Sequence, residues 1–193
     1  LGGSCNAQSL SYVGILGTQL SNATTNCTAT YTSFPQTGTT TTTLTKGLSY
    51  NFIAATFATN GSPAQTGFWI DYNQNKIFES SEFTRIDSNG TSGVNYTKSF
   101  TIPQSALSGP TGLRVRSDWV GNSGFTASSA CTNRPNGSTQ DYIITLANLA
   151  PCSGTPMPGA TLASSSEICP NDSVTFTLQN LNLGTGITFQ WFK

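Results

Sequence analysis

Short runs in which apolar and polar residues alternate, each broken by Gly, Pro, Asn or Ser, recur along the chain as far as Leu146. Such alternation has the period of a strand with one buried face. In Leu113-Arg-Val-Arg-Ser117 it places Leu113 and Val115 on the core face and Arg114 and Arg116 outward. Phe68, Ile70 and Tyr72 likewise share one face, and Trp69 and Asp71 the other. The runs are rich in Thr, Val, Ile, Tyr and Phe, which fit a pleated surface. Strands are expected over residues 12–18, 40–45, 50–57, 67–71, 96–102, 112–117 and 141–146, with the Thr run at 39–43 as a solvent-rich edge strand. No amphipathic pattern of helical period lasts three turns, and residues 103–107 offer a single turn at most. The spacing predicts an all-β fold, an antiparallel β-sandwich over residues 1–147.

Beyond Leu146 the texture changes. Residues 148–160 are Pro-rich and read as a linker. Residues 161–193 hold two further expected strands, 173–178 and 186–192, with Cys169 before the first and Trp191 late in the second. This arrangement suggests the first part of an Ig-like β-sandwich unit, left incomplete at Lys193. The expectation is a longer parent protein, or a second chain that supplies the missing strand.

Charge and composition then narrow the function classes. Eight basic and eight acidic residues balance to zero, so no basic stripe exists to neutralise the phosphates of a nucleic acid. No apolar run approaches the roughly 18 residues of a membrane-inserted helix. Histidine is absent, which excludes Ser-His-Asp and Cys-His catalysis and histidine metal sites. The five cysteines (Cys5, Cys27, Cys131, Cys152, Cys169) form no C-x-x-C pair; dispersed through a Thr/Ser-rich chain of low charge, they fit an extracellular, disulfide-bonded protein.

One segment carries candidate chemistry. From Asp71 the chain reads Asp-Tyr-Asn73-Gln-Asn75-Lys-Ile77-Phe-Glu79-Ser-Ser-Glu82, with oxygen-bearing side chains at positions 1, 3, 5, 9 and 12. That is the ligand spacing of a calcium loop, in which the Ile77 carbonyl would complete the sphere. The sixth position, usually Gly, is Lys76, which would have to adopt a positive φ and adds a positive charge. The alternative is an Asx-rich turn that caps its own backbone without a metal. As a glycosidase pair these carboxylates are poorly placed, since they lie on one loop rather than on elements flanking a cleft. Trp69 and Trp119 are candidate glycan contacts, by stacking on sugar rings, with core packing as the competing role.

Four segments, in order, resemble the GEVED domain of secreted surface proteins of Bacteroidota. They are Leu10-Ser-Tyr-Val-Gly-Ile-Leu-Gly; Asn26-Cys-Thr-Ala-Thr-Tyr31-Thr-Ser-Phe; Trp69-Ile-Asp-Tyr-Asn-Gln-Asn-Lys-Ile-Phe78; and Thr101-Ile-Pro with Leu113-Arg-Val-Arg and Gly137-Ser-Thr-Gln-Asp141-Tyr142. The naming motif has Ser138 and Gln140 at its two acidic positions, and the loop has Asn75-Lys76 where the family favours Asp-Gly. Both departures remove negative charge and weaken a metal site. The resemblance implies type IX secretion and a β-sandwich without a settled biochemical activity. It also brings Cys27 and Cys131 to one end of the sandwich. Cys152 and Cys169 frame a short loop that a bridge would close, leaving Cys5 over, although other pairings remain open. Asp172-Ser173-Val174 resembles an O-glycosylation motif of the same bacteria, with Ser173 as acceptor.

The sequence therefore points to a non-catalytic extracellular module of a bacterial surface adhesin or filament, with calcium as its one expected cofactor. Surface glycans or neighbouring subunits or repeats are its expected partners. The alternative is a carbohydrate-binding accessory domain of a secreted hydrolase.

Overall fold

Burial of alternate side chains from two facing strand sets organises the molecule. The computed structural model describes residues 8–24, 29–150, 157, 159–167, 169 and 173–180. The chain divides into two compact units, Leu1–Asn148 and Leu149–Lys193.

In the first unit, a four-stranded antiparallel sheet has the order β2 (Ser21–Ala23), β1 (Ser9–Ile15), β5 (Ser49–Phe57), β8 (Asn95–Thr101). The facing sheet runs β3 (Tyr31–Ser33), β10 (Thr139–Ala147), β9 (Gly109–Trp119), β6 (Ala64–Ile70), β7 (Phe83–Gly90). β4 (Thr43–Thr45) also lies along β10, beyond β3. Both of these edge pieces run parallel to β10, while the other pairings of the first unit are antiparallel. Sandwiching fills the space between the sheets with Val13 and Ile15 of β1, Phe52 of β5, Phe68 and Ile70 of β6, Leu113 and Val115 of β9, and Tyr142 and Ile144 of β10. Phe52 stacks on Phe68 across the two sheets at 4.2 Å between ring centroids, and Phe100 meets Phe68 edge-on at 5.1 Å.

In the first unit the expected strands reappear with shifted ends, and three were not foreseen. β2, β3 and β7 are short or polar, and none shows a clean alternation to read. The Thr-rich edge strand is reduced to β4, because Gly38–Thr40 form a 3-10 turn whose Thr40 hydroxyl bonds the Pro35 carbonyl. Residues 103–107 hold a turn closed by Ala106 N–H on the Pro103 carbonyl.

The larger correction concerns the outer face of the larger sheet. Arg114 and Arg116 do point away from the sandwich core, but they are 8% and 1% exposed. The segment after β9, containing the 3-10 turn Ala127–Ala130, folds back over that face and makes a second small core of Trp69, Phe125 and Ala130. Trp69 is wholly buried there, and its indole N–H donates to the Ala127 carbonyl at 2.8 Å. Alternation assigns a side chain to a face; it does not say whether a loop covers that face.

The second unit, described by itself, shows one antiparallel pair, β11 (Thr161–Ala163) with β12 (Phe176–Leu178). The expected strand at 186–192 lies outside the described residues.

Candidate functional site

The acidic loop leaves β6 at Ile70 and returns to β7 at Phe83. Its geometry follows from its side chains. Asp71 Oδ1 and Oδ2 accept the N–H groups of Asn75 (3.1 Å) and Lys76 (2.9 Å). Asn73 Oδ1 accepts Asn75 N–H at 3.0 Å, and Asn75 Oδ1 accepts Ile77 N–H at 2.8 Å. These nested Asx turns wind the backbone so tightly that Gln74 and Lys76 take φ of 55° and 68°. Lys76 thus occupies the left-handed conformation foreseen for the sixth position of a calcium loop.

The far end of the loop closes on the same centre. Asn73 and Asn75 donate Nδ2–H to the two Glu79 oxygens at 2.9 and 3.1 Å. Glu82 accepts Tyr72 N–H at 2.7 Å and Glu79 N–H at 3.1 Å. Asp71 and Glu82 are each 5% exposed, and no cation pairs with Asp71, Glu79 or Glu82 among the described residues. Burial holds the Glu82 carboxyl above its ordinary range; its backbone bonds oppose this, and the Asp71 charge adds to it. Partial burial, and then the neighbouring Glu82 charge, also push Tyr72 up.

As a cation site, the loop supplies inward-drawn oxygens from Asp71, Asn73, Asn75, Glu79 and Glu82, together with two buried carboxylates that lack a counter-charge among the described residues. This donor chemistry suits a hard divalent cation. The carboxylates alone do not make a metal cluster, as no three acidic or Cys side chains group together among the described residues. Asn oxygens and the Ile77 carbonyl would have to complete the set.

Above the outer face of β9, every arginine of the chain is committed to the same covering segment. Arg114 grips Asp141 with two parallel bonds, Nε to Oδ1 at 2.7 Å and Nη2 to Oδ2 at 2.6 Å. Its Nη1 donates to the Ala130 carbonyl at 3.1 Å, and its guanidinium lies 4.7 Å from the ring centre of Phe78 in the acidic loop. Arg116 Nη1 donates to the carbonyls of Ser129 and Thr132. Arg85 reaches the Phe125 carbonyl and sits 5.2 Å from the Phe125 ring centre. Arg134, itself on the segment, is anchored to fully buried Asp118 through Nε at 2.6 Å. Burial, then the neighbouring Arg114 and Arg134 charges, bring Arg116 down to about 10. For Arg114 burial also pulls downward, but the Asp141 bonds and charge outweigh it, and the net shift is upward.

The residues around Asp141 explain the rest of that motif. Tyr31 donates its hydroxyl to Asp141 Oδ2 at 3.0 Å. Ser138 and Gln140 face inward, each 5% exposed; Ser138 Oγ accepts Leu10 N–H at 2.9 Å and Gln140 Oε1 accepts the Tyr142 hydroxyl at 2.6 Å. As neutral groups they enter the interior without the desolvation cost of a carboxylate.

The two candidate glycan contacts part company. Trp69 is excluded by its burial, whereas Trp119, at the end of β9, is 40% exposed. Cys131 is exposed and accepts a bond from Arg114 Nη1 at 3.3 Å, and Cys169 is exposed. Their proposed partners Cys27 and Cys152, and also Cys5, lie outside the described residues. Ser173 is exposed, just ahead of β12.

Residues 65–145 match the family model described as GEVED domain, a span that runs from β6 to β10 and includes the acidic loop, the arginines and Asp141. No curated protein matches the chain. Among solved structures, the chain is similar to the PKD domain of an M14-like peptidase from Thermoplasmatales archaeon SCGC AB-540-F20, at 14% identity and a TM-score of 0.35, over 54% of this chain and 84% of that one.

Proposed function

We propose that this chain is a non-catalytic module carried outside the cell by a bacterial surface adhesin or filament, where it holds a rigid surface in place for attachment or for neighbouring repeats. The observation that carries this reading is the use made of its charges. All four arginines tie down one covering segment, and Asp118 and Asp141 complete that clamp. Asp71 and Glu82 cap backbone N–H groups. Groups fixed in this way brace a scaffold and are poorly placed to move protons for a substrate. The likeness of residues 65–145 to the GEVED family supports the extracellular setting. The test is protease treatment of intact source cells. Peptides of this chain should be released without lysis, and protection until lysis would overturn the placement. Measurable turnover on glycoside or peptide panels would overturn the non-catalytic reading.

Calcium is part of this proposal, with Asp71, Asn73, Asn75, the Ile77 carbonyl, Glu79 and Glu82 as its ligands. Bound there, the ion would neutralise the crowded carboxylates and cross-link the two ends of the loop. Extracellular modules bind at about 10⁻⁴–10⁻³ M. At 10 mM calcium and the weaker limit, linkage adds about 1.4 kcal/mol, or a rise in melting temperature of about 3–6 °C over EGTA. Asp71→Asn, which keeps an oxygen for the Asx turn, should shrink the rise. The rise should also fade in acid, because a protonated Glu82, whose pKa is already raised, cannot ligate. Equal melting temperatures with calcium and with EGTA would leave a self-capped turn.

A further inference from the structure

We infer that a recess beside Trp119 is a binding subsite for one neutral sugar ring. It is lined by Trp119, Gln8, Asn60, Ser62 and Asn136 and has a volume of about 220 Å³. That lies below the 300–1,000 Å³ or so of sites for drug-sized molecules, which suits a single small ring. Among the described residues its lining joins one aromatic side chain to three amides and a hydroxyl, with no charged side chain. An aromatic face buries the C–H face of a pyranose, while amides and hydroxyls meet its rim of OH groups.

Two features mark the recess as built. Gln8 is 2% exposed, yet its Oε1 has no hydrogen-bond partner among the described residues. A buried acceptor left unpaired is disfavoured, and turning the Gln8 amide toward the recess that it lines would let a ligand hydroxyl supply the missing donor. The second feature is that the aromatic and amide groups are held in place. The six-membered ring of Trp119 lies where a Cβ on Gly121 would sit, so the absent side chain gives the indole its seat. Trp119 N–H donates to Asp118 Oδ1 at 2.9 Å. Asn136 Oδ1 accepts Asn122 Nδ2–H at 2.9 Å, and Asn122 in turn donates to Asp118 Oδ1 at 2.7 Å. The Asp118–Arg134 pair behind them thus fixes the backbone that carries the platform and, through Asn122, one amide before any ligand arrives, which lowers the ordering cost of binding.

The subsite gives the attachment role a ligand class without depending on the calcium loop, so it is tested in EGTA. The whole chain is titrated with the methyl glycosides of glucose, galactose, mannose and N-acetylglucosamine, with sialic acid as a charged control, and followed by saturation-transfer NMR. Saturable binding of at least one neutral glycoside is expected. Trp119→Ala should weaken it about tenfold or more at an unchanged melting temperature, and Trp119→Phe should retain part of it. Gln8→Leu, which removes the acceptor at similar size, should weaken it about tenfold. No saturable binding of any neutral glycoside, preference for sialic acid, or affinity unaffected by Trp119→Ala or Gln8→Leu would each overturn the inference. None of these outcomes bears on cell-surface placement or turnover, so the two readings fail separately.

Discussion

Gly137→Ala is expected to destabilise the sandwich by about 2–5 kcal/mol, the sum of a left-handed backbone penalty and an overpacking penalty. Gly137 sits at φ 75°, where a Cβ is disfavoured in its own right. More severely, a Cβ there would land on the Ser117 carbonyl and come within 2.9 Å of the Asp118 nitrogen. Both obstacles are backbone, so no rotamer change relieves them. The chain must pass this close because Ser117 N–H bonds the Ser138 carbonyl at 3.0 Å and Ser138 N–H bonds Ser117 Oγ at 3.2 Å, one residue outside the first β9–β10 pair, Arg116 with Thr139. Urea unfolding followed by circular dichroism reads the loss, and a change below about 1 kcal/mol would show that the approach can open cheaply.

Asp141→Ala should cost about 3 kcal/mol, because breaking a buried pair strands the remaining charge. Arg114 would keep its Ala130 bond but lose both charge-assisted bonds of a guanidinium that is largely buried. Tyr31 would lose its acceptor as well. The informative comparison is the double variant Arg114→Met, Asp141→Val. If stranded charge causes the loss, the double variant is more stable than Asp141→Ala alone. If the pair is needed to fix the covering segment, the double variant instead stays low and Trp69 fluorescence shifts toward that of a wetter indole.

These residues also show what was legible in the sequence. Alternation put Leu113 and Val115 inside and Arg114 and Arg116 on the opposite face, and the sandwich follows from it. Calcium-loop spacing implied a positive φ at Lys76, and the backbone adopts it. The cover over the outer face was not legible, since residues 120–136 carry neither strand nor helix periodicity and their position depends on bonds to arginines far away in the chain. For Trp69 the sequence offered glycan stacking or core packing, and the same cover settles it as core packing. Trp119 lay open to the opposite error: nothing in its immediate sequence distinguishes it from a core tryptophan, and only Gly121 two residues on shows how it is seated.

The arginine clamp has one more consequence. A guanidinium keeps its proton through the range in which imidazoles and thiols titrate, and even Arg116, lowered to about 10, stays cationic well past neutrality. Because folding lowers that pKa, the burden of its charge lifts only when the surroundings become strongly alkaline, and holding the lid shut over the mildly acid to mildly alkaline range depends on no titrating latch among these arginines. A covering segment fastened in this way keeps its seat while the pH moves across that range.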